Sequence, residues 1–135
     1  DVARHLHITP GVRIAVLKRV RLADGQPLAL ETTHIPYHKC PGLLDRYDFS
    51  QCSLYEVLRR DYGWELAWAD QVIGTRLPED DECAALELDK GTPVLHFTRV
   101  TFDESDQPLE YVRSVYRGDR YQLRAALRYS EHQLR

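Results

Sequence analysis

Side chains able to bind a small molecule are concentrated in one strand-like stretch, residues 107–121. The segment reads QPLEYVRSVYRGDRY, and its hydrogen-bonding and charged residues include Glu110, Arg113, Ser114, Tyr116, Arg117, Asp119, Arg120 and Tyr121. A plain core strand needs fewer such groups, so we interpret the stretch as one wall of a pocket. Residues an even number apart on a strand share a face, which places Glu110 and Tyr116 on the same side.

A second polar set lies on an earlier predicted hairpin, residues 12–35, whose two strands are joined by an Asp-Gly turn. A two-residue loop would place Arg19 opposite Leu30, whereas a three-residue loop places it opposite Glu31. We favour the three-residue loop, because it brings Arg19, Arg21 and Glu31 onto one face.

These residue types favour recognition of an anion that also carries polar groups. Two guanidinium groups on one face suit a phosphate or a carboxylate, although an exposed strand face paired with Glu31 is the alternative. Ser53 precedes a helix, where it can bind an anion or act as a plain capping residue. Glu110 can accept from sugar hydroxyls or an amine, and Tyr116 can stack or donate; the alternative for both is a half-buried strand position.

The remaining pattern predicts an α+β domain with a mainly antiparallel sheet. Ser53 and Glu56 have capping-box spacing, and Gly63 ends the helix that they begin. The other predicted elements are a short helix or turn at 2–8, a strand at 64–77, a helix from 79 to near Gly91, a hairpin at 94–116 and an edge strand or helical turn at 121–129. Arg117, Gly118 and Asp119 are assigned mainly to a turn.

An internal repeat relates residues 6–28 to residues 86–109, with one residue inserted in the second turn. The repeat predicts two related helix-hairpin units. If they pack as pseudo-symmetric halves of one sheet, equivalent strands from both units line a crevice between the sheet and the crossing helices.

Composition limits the classes of protein to consider. The 135 residues correspond to one domain, and a net charge of −3 with a pI near 6.1 argues against a nucleic-acid-binding surface. No membrane-length apolar run or secretory signal is present, and three cysteines without CxxC spacing suit reduced thiols, so we expect a cytoplasmic protein. The absence of methionine indicates a piece of a longer chain. His34, His38 and Cys40 lie close in sequence, but a zinc site needs three or four converging ligands, a proline separates the histidines and no second cluster follows, so we do not predict a metal site.

Three motifs in this order resemble one known family: residues 18–31 (KRVRLADGQPLALE), 53–55 (SLY) and 108–121 (PLEYVRSVYRGDRY). The chain resembles, from about residue 3 to residue 127, the UTRA domain, the effector-binding domain of HutC-type regulators in the GntR family of bacterial transcription factors. The positions that match the family's pocket are Arg19, Arg21, Glu31, Ser53, Tyr55, Glu110 and Tyr116.

The resemblance implies a chorismate-lyase-like fold with a pocket for a small effector, which the paired arginines suggest is anionic, such as a sugar phosphate or a carboxylate. It implies a homodimer that reads operator DNA through an amino-terminal winged helix-turn-helix missing from this chain, which is also slightly truncated at the start of the UTRA domain. Effector binding would shift the population of domain arrangements and thereby change operator binding. The resemblance implies no enzyme activity and no cofactor.

Two alternatives come from other classes of protein. A chorismate-lyase-like enzyme acting on an aromatic carboxylate shares the implied fold. An interaction module is suggested only by three aromatic residues expected to be exposed, Tyr37, Tyr47 and Tyr129.

Overall fold

A computed structural model describes residues 1–129 and shows a five-stranded antiparallel sheet with short helices on both faces. The elements in chain order are α1 Val2–His5, β1 Ile14–Ala23, β2 Gln26–Pro36, a 3-10 turn Tyr37–Lys39, α2 Leu43–Arg46, α3 Leu54–Tyr62, β3 Leu66–Arg76, α4 Asp80–Leu86, β4 Val94–Asp103 and β5 Pro108–Arg117. The strand order is β1-β2-β5-β4-β3, with every pair antiparallel. The predicted α+β class is confirmed.

The first hairpin has the predicted register but reaches it by a different route. Arg19 pairs with Glu31 as expected, yet the loop contains two residues, Asp24 and Gly25, rather than three. Both adopt left-handed backbone angles, with φ of 51° and 75°, as tight hairpin turns require. A bulge in β2 then skips Leu28, and this extra residue restores the register that a longer loop would have given.

The internal repeat is present in the strand pairing. The register break between Arg21 and Leu22 in the first hairpin recurs between Thr101 and Phe102 in the second. The returning strands β2 and β5 are neighbours at the centre of the sheet. Thr32 and Arg113 occupy equivalent positions in the two repeats, and they pair with each other. A local pseudo-twofold axis that exchanges the repeats therefore passes through this pair.

The helices of the two repeats follow the same symmetry. α1 and α4 precede the first strands of their hairpins, and each is followed by a residue in the left-handed region, His7 with φ of 53° and Glu87 with φ of 54°. Glu87 therefore ends α4 before the predicted stop near Gly91. The run of acidic residues at 79–82 begins α4, where Glu79 and Glu82 form a capping box.

The two faces of the sheet pack against different helices through apolar residues. The α2 and α3 face has the largest core cluster, comprising Ala15, Ile35, Cys40, Leu43, Leu54, Val57, Leu58, Trp64 and Leu109. On the other face α4 packs through Leu30, Leu86, Leu88, Val94 and Val115, and α1 through Leu6, Val100 and Tyr111. The polar groups of β5 are thus carried by a strand packed on both sides.

Three expectations from the sequence need correction. Residues 121–129 were expected to form an edge strand or helical turn, but they have no regular secondary structure. Tyr37 and Tyr47 are partly buried rather than exposed: the Tyr37 hydroxyl accepts from the Gly42 amide, and Tyr47 packs against Phe49. Tyr129 is exposed as expected, so it alone of the three aromatic residues still fits an interaction module.

None of the helices in residues 1–129 combines the length and the apolar character required to cross a bilayer. Across the same residues, His, Cys, Asp and Glu side chains do not gather in groups of three or more that could hold a metal ion. His34 instead contacts the Tyr111 carbonyl oxygen at 3.1 Å through Nδ1, and Cys40 is buried in the α3 cluster.

Candidate functional site

The first hairpin and β5 form an ion-pair cluster on the α3 face of the sheet. The Arg19 Nη2 group donates to Glu31 Oε1 at 2.8 Å, and Arg21 Nη1 lies 3.9 Å from the same oxygen. Ser114 Oγ donates to Glu31 Oε2 at 3.4 Å, across the β2 to β5 pairing. Glu31 is 8% exposed, so this carboxylate lies largely out of solvent between its partners.

A second polar cluster surrounds Glu110, which is fully buried although its side chain is ionisable. Its Oε2 atom accepts from the Tyr55 hydroxyl at 2.6 Å and from the Thr101 hydroxyl at 2.7 Å. Arg99 Nη2 in turn donates to the Tyr55 hydroxyl oxygen at 2.9 Å. The cluster therefore links α3, β4 and β5 through one carboxylate.

Two buried polar atoms of these clusters have no hydrogen-bond partner among residues 1–129: Arg19 Nε and Glu110 Oε1. Leaving a buried donor or acceptor unsatisfied costs about 1–3 kcal/mol, and such atoms are few in folded proteins. One of the two is a donor on a cation and the other is an acceptor on a carboxyl. Arg19 Nε therefore lacks an acceptor, such as an anionic oxygen, and Glu110 Oε1 lacks a hydrogen-bond donor.

The groups around Glu110 have opposite effects on its pKa. Burial raises the pKa of Glu110 above its usual range, while the hydroxyls of Tyr55 and Thr101 and the charge of Arg99 lower it. Burial and the neighbouring Glu110 charge raise the pKa of the Tyr55 phenol, so Tyr55 remains a neutral donor. Since Oε1 is shielded from solvent, a ligand reaches it only when a neighbouring side chain moves.

The face carries an excess of positive charge. Three arginines, Arg19, Arg21 and Arg99, lie with two carboxyl groups, Glu31 and Glu110. Basic groups in a partly dry cleft concentrate anions, because the low-dielectric walls focus the field. The charge balance therefore favours an anionic ligand.

Tyr116 lies on the same face beside an aromatic group. Its ring centre is 5.1 Å from that of Phe97 and 4.2 Å from that of Tyr121. Burial, followed by the charge of Glu31, raises the pKa of the Tyr116 phenol. The cluster of Phe97, Tyr116 and Tyr121 offers a surface for stacking next to the arginines.

Ser53 lies apart from these contacts. It is exposed at the amino terminus of α3, where its hydroxyl accepts from the Glu56 amide at 3.4 Å. This contact accounts for Ser53 as a helix cap, the plainer of the two roles considered from the sequence. Whether an effector also reaches this hydroxyl stays a prediction.

The structure thus brings Arg19, Arg21 and Glu31 together, joins Tyr55 to Glu110, and places Tyr116 beside the aromatic residues. Arg99 and Thr101, which hold this network, were missed by the sequence reasoning. The internal repeat carried a signal for Arg99, because it aligns with Arg19.

Two of the cavities that adjoin the sheet concern the site, one on each face. An open groove of about 300 Å³ adjoins the Glu110 cluster and is lined by Tyr55, Leu66, Ala67, Trp68, Ala69, Arg99 and Thr101. A larger cavity of about 540 Å³ lies on the opposite face between α1 and α4. Its lining arginines are already paired, Arg76 with Glu82 at 2.7 Å and Arg113 with Asp1 at 3.2 Å. The smaller groove is the better candidate, since the unsatisfied buried atoms lie on its face.

The end of β5 and the turn after it have a structural role. Arg117, which the sequence assigned to this turn, is the last residue of β5, and the turn begins at Gly118. Arg117 is buried and donates to the backbone carbonyls of Leu86 and Glu87 while pairing with Asp119 at 2.8 Å. A Cβ atom on Gly118 would lie 2.4 Å from the Pro93 carbonyl oxygen, so only glycine fits here. These contacts fasten β5 to α4 and leave the polar face unaffected.

Comparison with known families gives a match over most of the chain. The model of the UTRA domain matches residues 1–122. The HTH-type transcriptional repressor PhnF of Mycolicibacterium smegmatis is 36% identical over 122 residues, covering 90% of this chain and 49% of PhnF. The HTH-type transcriptional repressor NagR of Bacillus subtilis is 36% identical over 105 residues, covering 78% of this chain and 42% of NagR. The chain thus spans about half the length of these relatives or less.

Solved structures agree with this match. The crystal structure of the PhnF effector domain from Mycobacterium smegmatis superposes with a TM-score of 0.88 at 35% identity, covering 94% of this chain and 77% of that one. The ligand-binding domain of a GntR-family regulator from Bordetella bronchiseptica has the same fold, with a TM-score of 0.88 at 24% identity, covering 93% of this chain and 81% of that one.

Proposed function

Because the chain belongs to the UTRA domain family, we propose that the α3 face of its sheet binds the small-molecule effector of a transcriptional regulator. The observation that carries this assignment to a particular face is the pair of buried, unsatisfied atoms, Arg19 Nε and Glu110 Oε1. The neighbouring residues of the proposed site are Arg21, Glu31, Tyr55 and Tyr116, with Ser53 at its edge.

The proposed effector is an anion, a sugar phosphate or a carboxylate, that also carries a hydroxyl or amine. Arg19 and Arg21 would bind the anionic group, because guanidinium groups donate paired, charge-assisted bonds to phosphate and carboxylate oxygens. Glu110 Oε1 would accept from the hydroxyl or amine, and the Tyr116 ring would pack against the body of the molecule.

A thermal-shift screen of sugar phosphates and hydroxy- or amino-acids, followed by calorimetry, tests this assignment. We expect Arg19→Gln and Glu110→Gln each to weaken binding of the best compound at least tenfold, since each removes a charge-assisted contact. Arg113→Gln is the matched control, because Arg113 faces the opposite cavity, and it should bind as the natural chain does. Unchanged affinity in both site variants would refute the site.

We propose that effector binding regulates DNA binding by a separate amino-terminal domain of the HutC subfamily type. The supporting observation is that the curated relatives are HTH-type repressors about twice as long as this chain. Binding beside Tyr55, a residue of α3, would act on that helix and bias a two-state arrangement of the paired DNA readers. Operator affinity of the full-length protein that stays constant at saturating effector would contradict the proposal.

We also propose that the regulator is a cytoplasmic homodimer whose second copy pairs along β3. This edge strand is exposed along nearly its whole length, including Leu66, Trp68, Val72 and Ile73. Long exposed edge strands with apolar side chains favour pairing with another strand. Sedimentation should show a dimer that Val72→Lys weakens; a monomer at high concentration would refute this interface.

A further inference from the structure

The repeat gives Arg99 and Arg19 equivalent positions but different partners. Arg19 pairs across the strand with Glu31, while Arg99 pairs in the same register with Val112. Arg19 forms an ion pair with Glu31, whereas Arg99 forms no ion pair with a carboxylate of residues 1–129. Arg99 donates to the Tyr55 hydroxyl instead. The first repeat thus has a direct ion pair, whereas in the second repeat the Tyr55 hydroxyl bridges Arg99 and the Glu110 carboxyl.

In the hydrogen-bonded series Arg99–Tyr55–Glu110, the chemical nature of each group determines which one donates and which one accepts. A guanidinium group donates and cannot accept, so the Tyr55 hydroxyl oxygen accepts from Arg99. The single proton of Tyr55 is then left for Glu110 Oε2, 2.6 Å away. Thr101 donates to the same oxygen at 2.7 Å, so Oε2 already has two donors, while Oε1 has none from the described part of the chain.

We propose that Arg99 is a positioning residue: through Tyr55 it holds Glu110 with Oε2 occupied and Oε1 presented as a single, oriented acceptor for the effector. This inference rests on the proposed effector site and adds a determinant of its specificity. It accounts for the placement of an arginine beside a phenol, since the residues directly opposite Arg99, Val112 and Gln71, carry no carboxylate.

The groups that face Glu110 come from three elements: Tyr55 from α3, Arg99 and Thr101 from β4, and Glu31 from β2. Of these, Arg99 supplies the positive charge that counters the burial of the carboxyl. Without Arg99, Tyr55 can turn its proton away from Oε2 and the ionised form of Glu110 becomes less favourable. The carboxyl would then be protonated at pH values where it should accept.

Carbon NMR titration of the Glu110 carboxyl in glutamate-labelled protein tests the role of Arg99 without any ligand. We expect Arg99→Gln to raise the titration midpoint of Glu110 by about one pH unit, as loss of a nearby opposite charge does. Arg99→Lys should restore most of the original midpoint. Arg113→Gln removes the same charge from the opposite face and should leave the midpoint unchanged.

An unchanged Glu110 midpoint in Arg99→Gln, or equal shifts in Arg99→Gln and Arg113→Gln, would overturn the inference. A merely structural role would change the unfolding temperature without this selective shift. Should Arg99→Gln fail to fold, Tyr55→Phe interrupts the same link while keeping the Arg99 charge, and its Glu110 midpoint should also rise; no rise would overturn the inference.

Ligand binding separates this inference from the proposed function. With glucose 6-phosphate and inorganic phosphate as probes, Arg99→Gln should weaken the sugar phosphate about tenfold and leave inorganic phosphate, which needs only Arg19 and Arg21, unaffected. Equal weakening of both probes would contradict a role in positioning Glu110. If neither probe binds the unmodified chain, glucose 6-phosphate is excluded as the effector, and the titration alone decides the role of Arg99.

Discussion

Replacing Glu110 by glutamine should make the domain increasingly stable relative to the natural chain as the pH rises, while weakening effector binding at least tenfold. The carbonyl oxygen of the introduced amide can accept from Tyr55 and Thr101, so both hydrogen bonds made by Oε2 are retained. The amide nitrogen takes the position of Oε1, which has no partner among residues 1–129. The principal change is therefore removal of a buried negative charge.

The sign and size of the effect follow from proton linkage. Burial raises the pKa of Glu110, so the folded chain holds this proton more tightly than the unfolded chain. Stability due to Glu110 is present at low pH and is lost as the pH rises from the ordinary carboxyl value through the folded pKa. The loss is about 1.4 kcal/mol for each pH unit by which folding displaces the pKa, and Glu110→Gln cannot undergo it.

Urea denaturation of both chains between pH 4 and pH 8 measures this difference. The unfolding free energy of Glu110→Gln minus that of the natural chain should increase with pH and then level off. Glu104→Gln, an exposed position in the turn after β4, is the matched control and should show no such trend. A difference in unfolding free energy that does not change with pH, or that falls as the pH rises, would show that ionisation of Glu110 does not destabilise the folded chain and would refute this reasoning.

Three further predictions concern the framework of the site. Gly118→Ala should lower the unfolding free energy, measured by thermal denaturation, by about 2 kcal/mol or more, because the added Cβ would overlap the Pro93 carbonyl oxygen. Gly91→Ala is the control and should be tolerated, since Gly91 has open space around it. Equal effects of the two substitutions would contradict this geometry. Ser53→Ala should cost about 1 kcal/mol through loss of the α3 cap, measured by urea denaturation, and a neutral result would mean that the cap contributes nothing. In a thiol-modification assay at pH 8, exposed Cys52 should react fastest and Cys40 only on unfolding, since burial raises the pKa of the Cys40 thiol to about 11; rapid reaction of Cys40 in the native chain would contradict its placement in the core.

Local pattern was sufficient to predict most of the fold. Strand alternation, the Ser53 cap and the Gly63 stop gave the hairpins and α3, because each depends on residues near in sequence. The bulge at Leu28 was not foreseen, since alternation does not reveal where one residue is skipped. Residues 121–129 carry enough apolar side chains to suggest an element, but local pattern does not tell whether a neighbouring strand or helix is available to pack against them.

The candidate site was predicted in part for the same reason. Period two along a single strand placed Glu110 with Tyr116, and Arg19 with Arg21. The Arg99 to Tyr55 to Glu110 chain joins residues from three elements, and strand periodicity carries no information about which helix crosses which strand. Only the internal repeat, by aligning Arg99 with Arg19, contained a hint of it.

Mapping an effector by NMR chemical-shift changes on the labelled chain tests the central claim most directly, because it separates the two faces of the sheet. If the effector binds on the α3 face, it shifts the signals of the Arg19 Nε group, the Glu110 carboxyl and the Tyr55 ring. Shifts confined to Lys18, His96 and Arg113, around the cavity between α1 and α4, would contradict it.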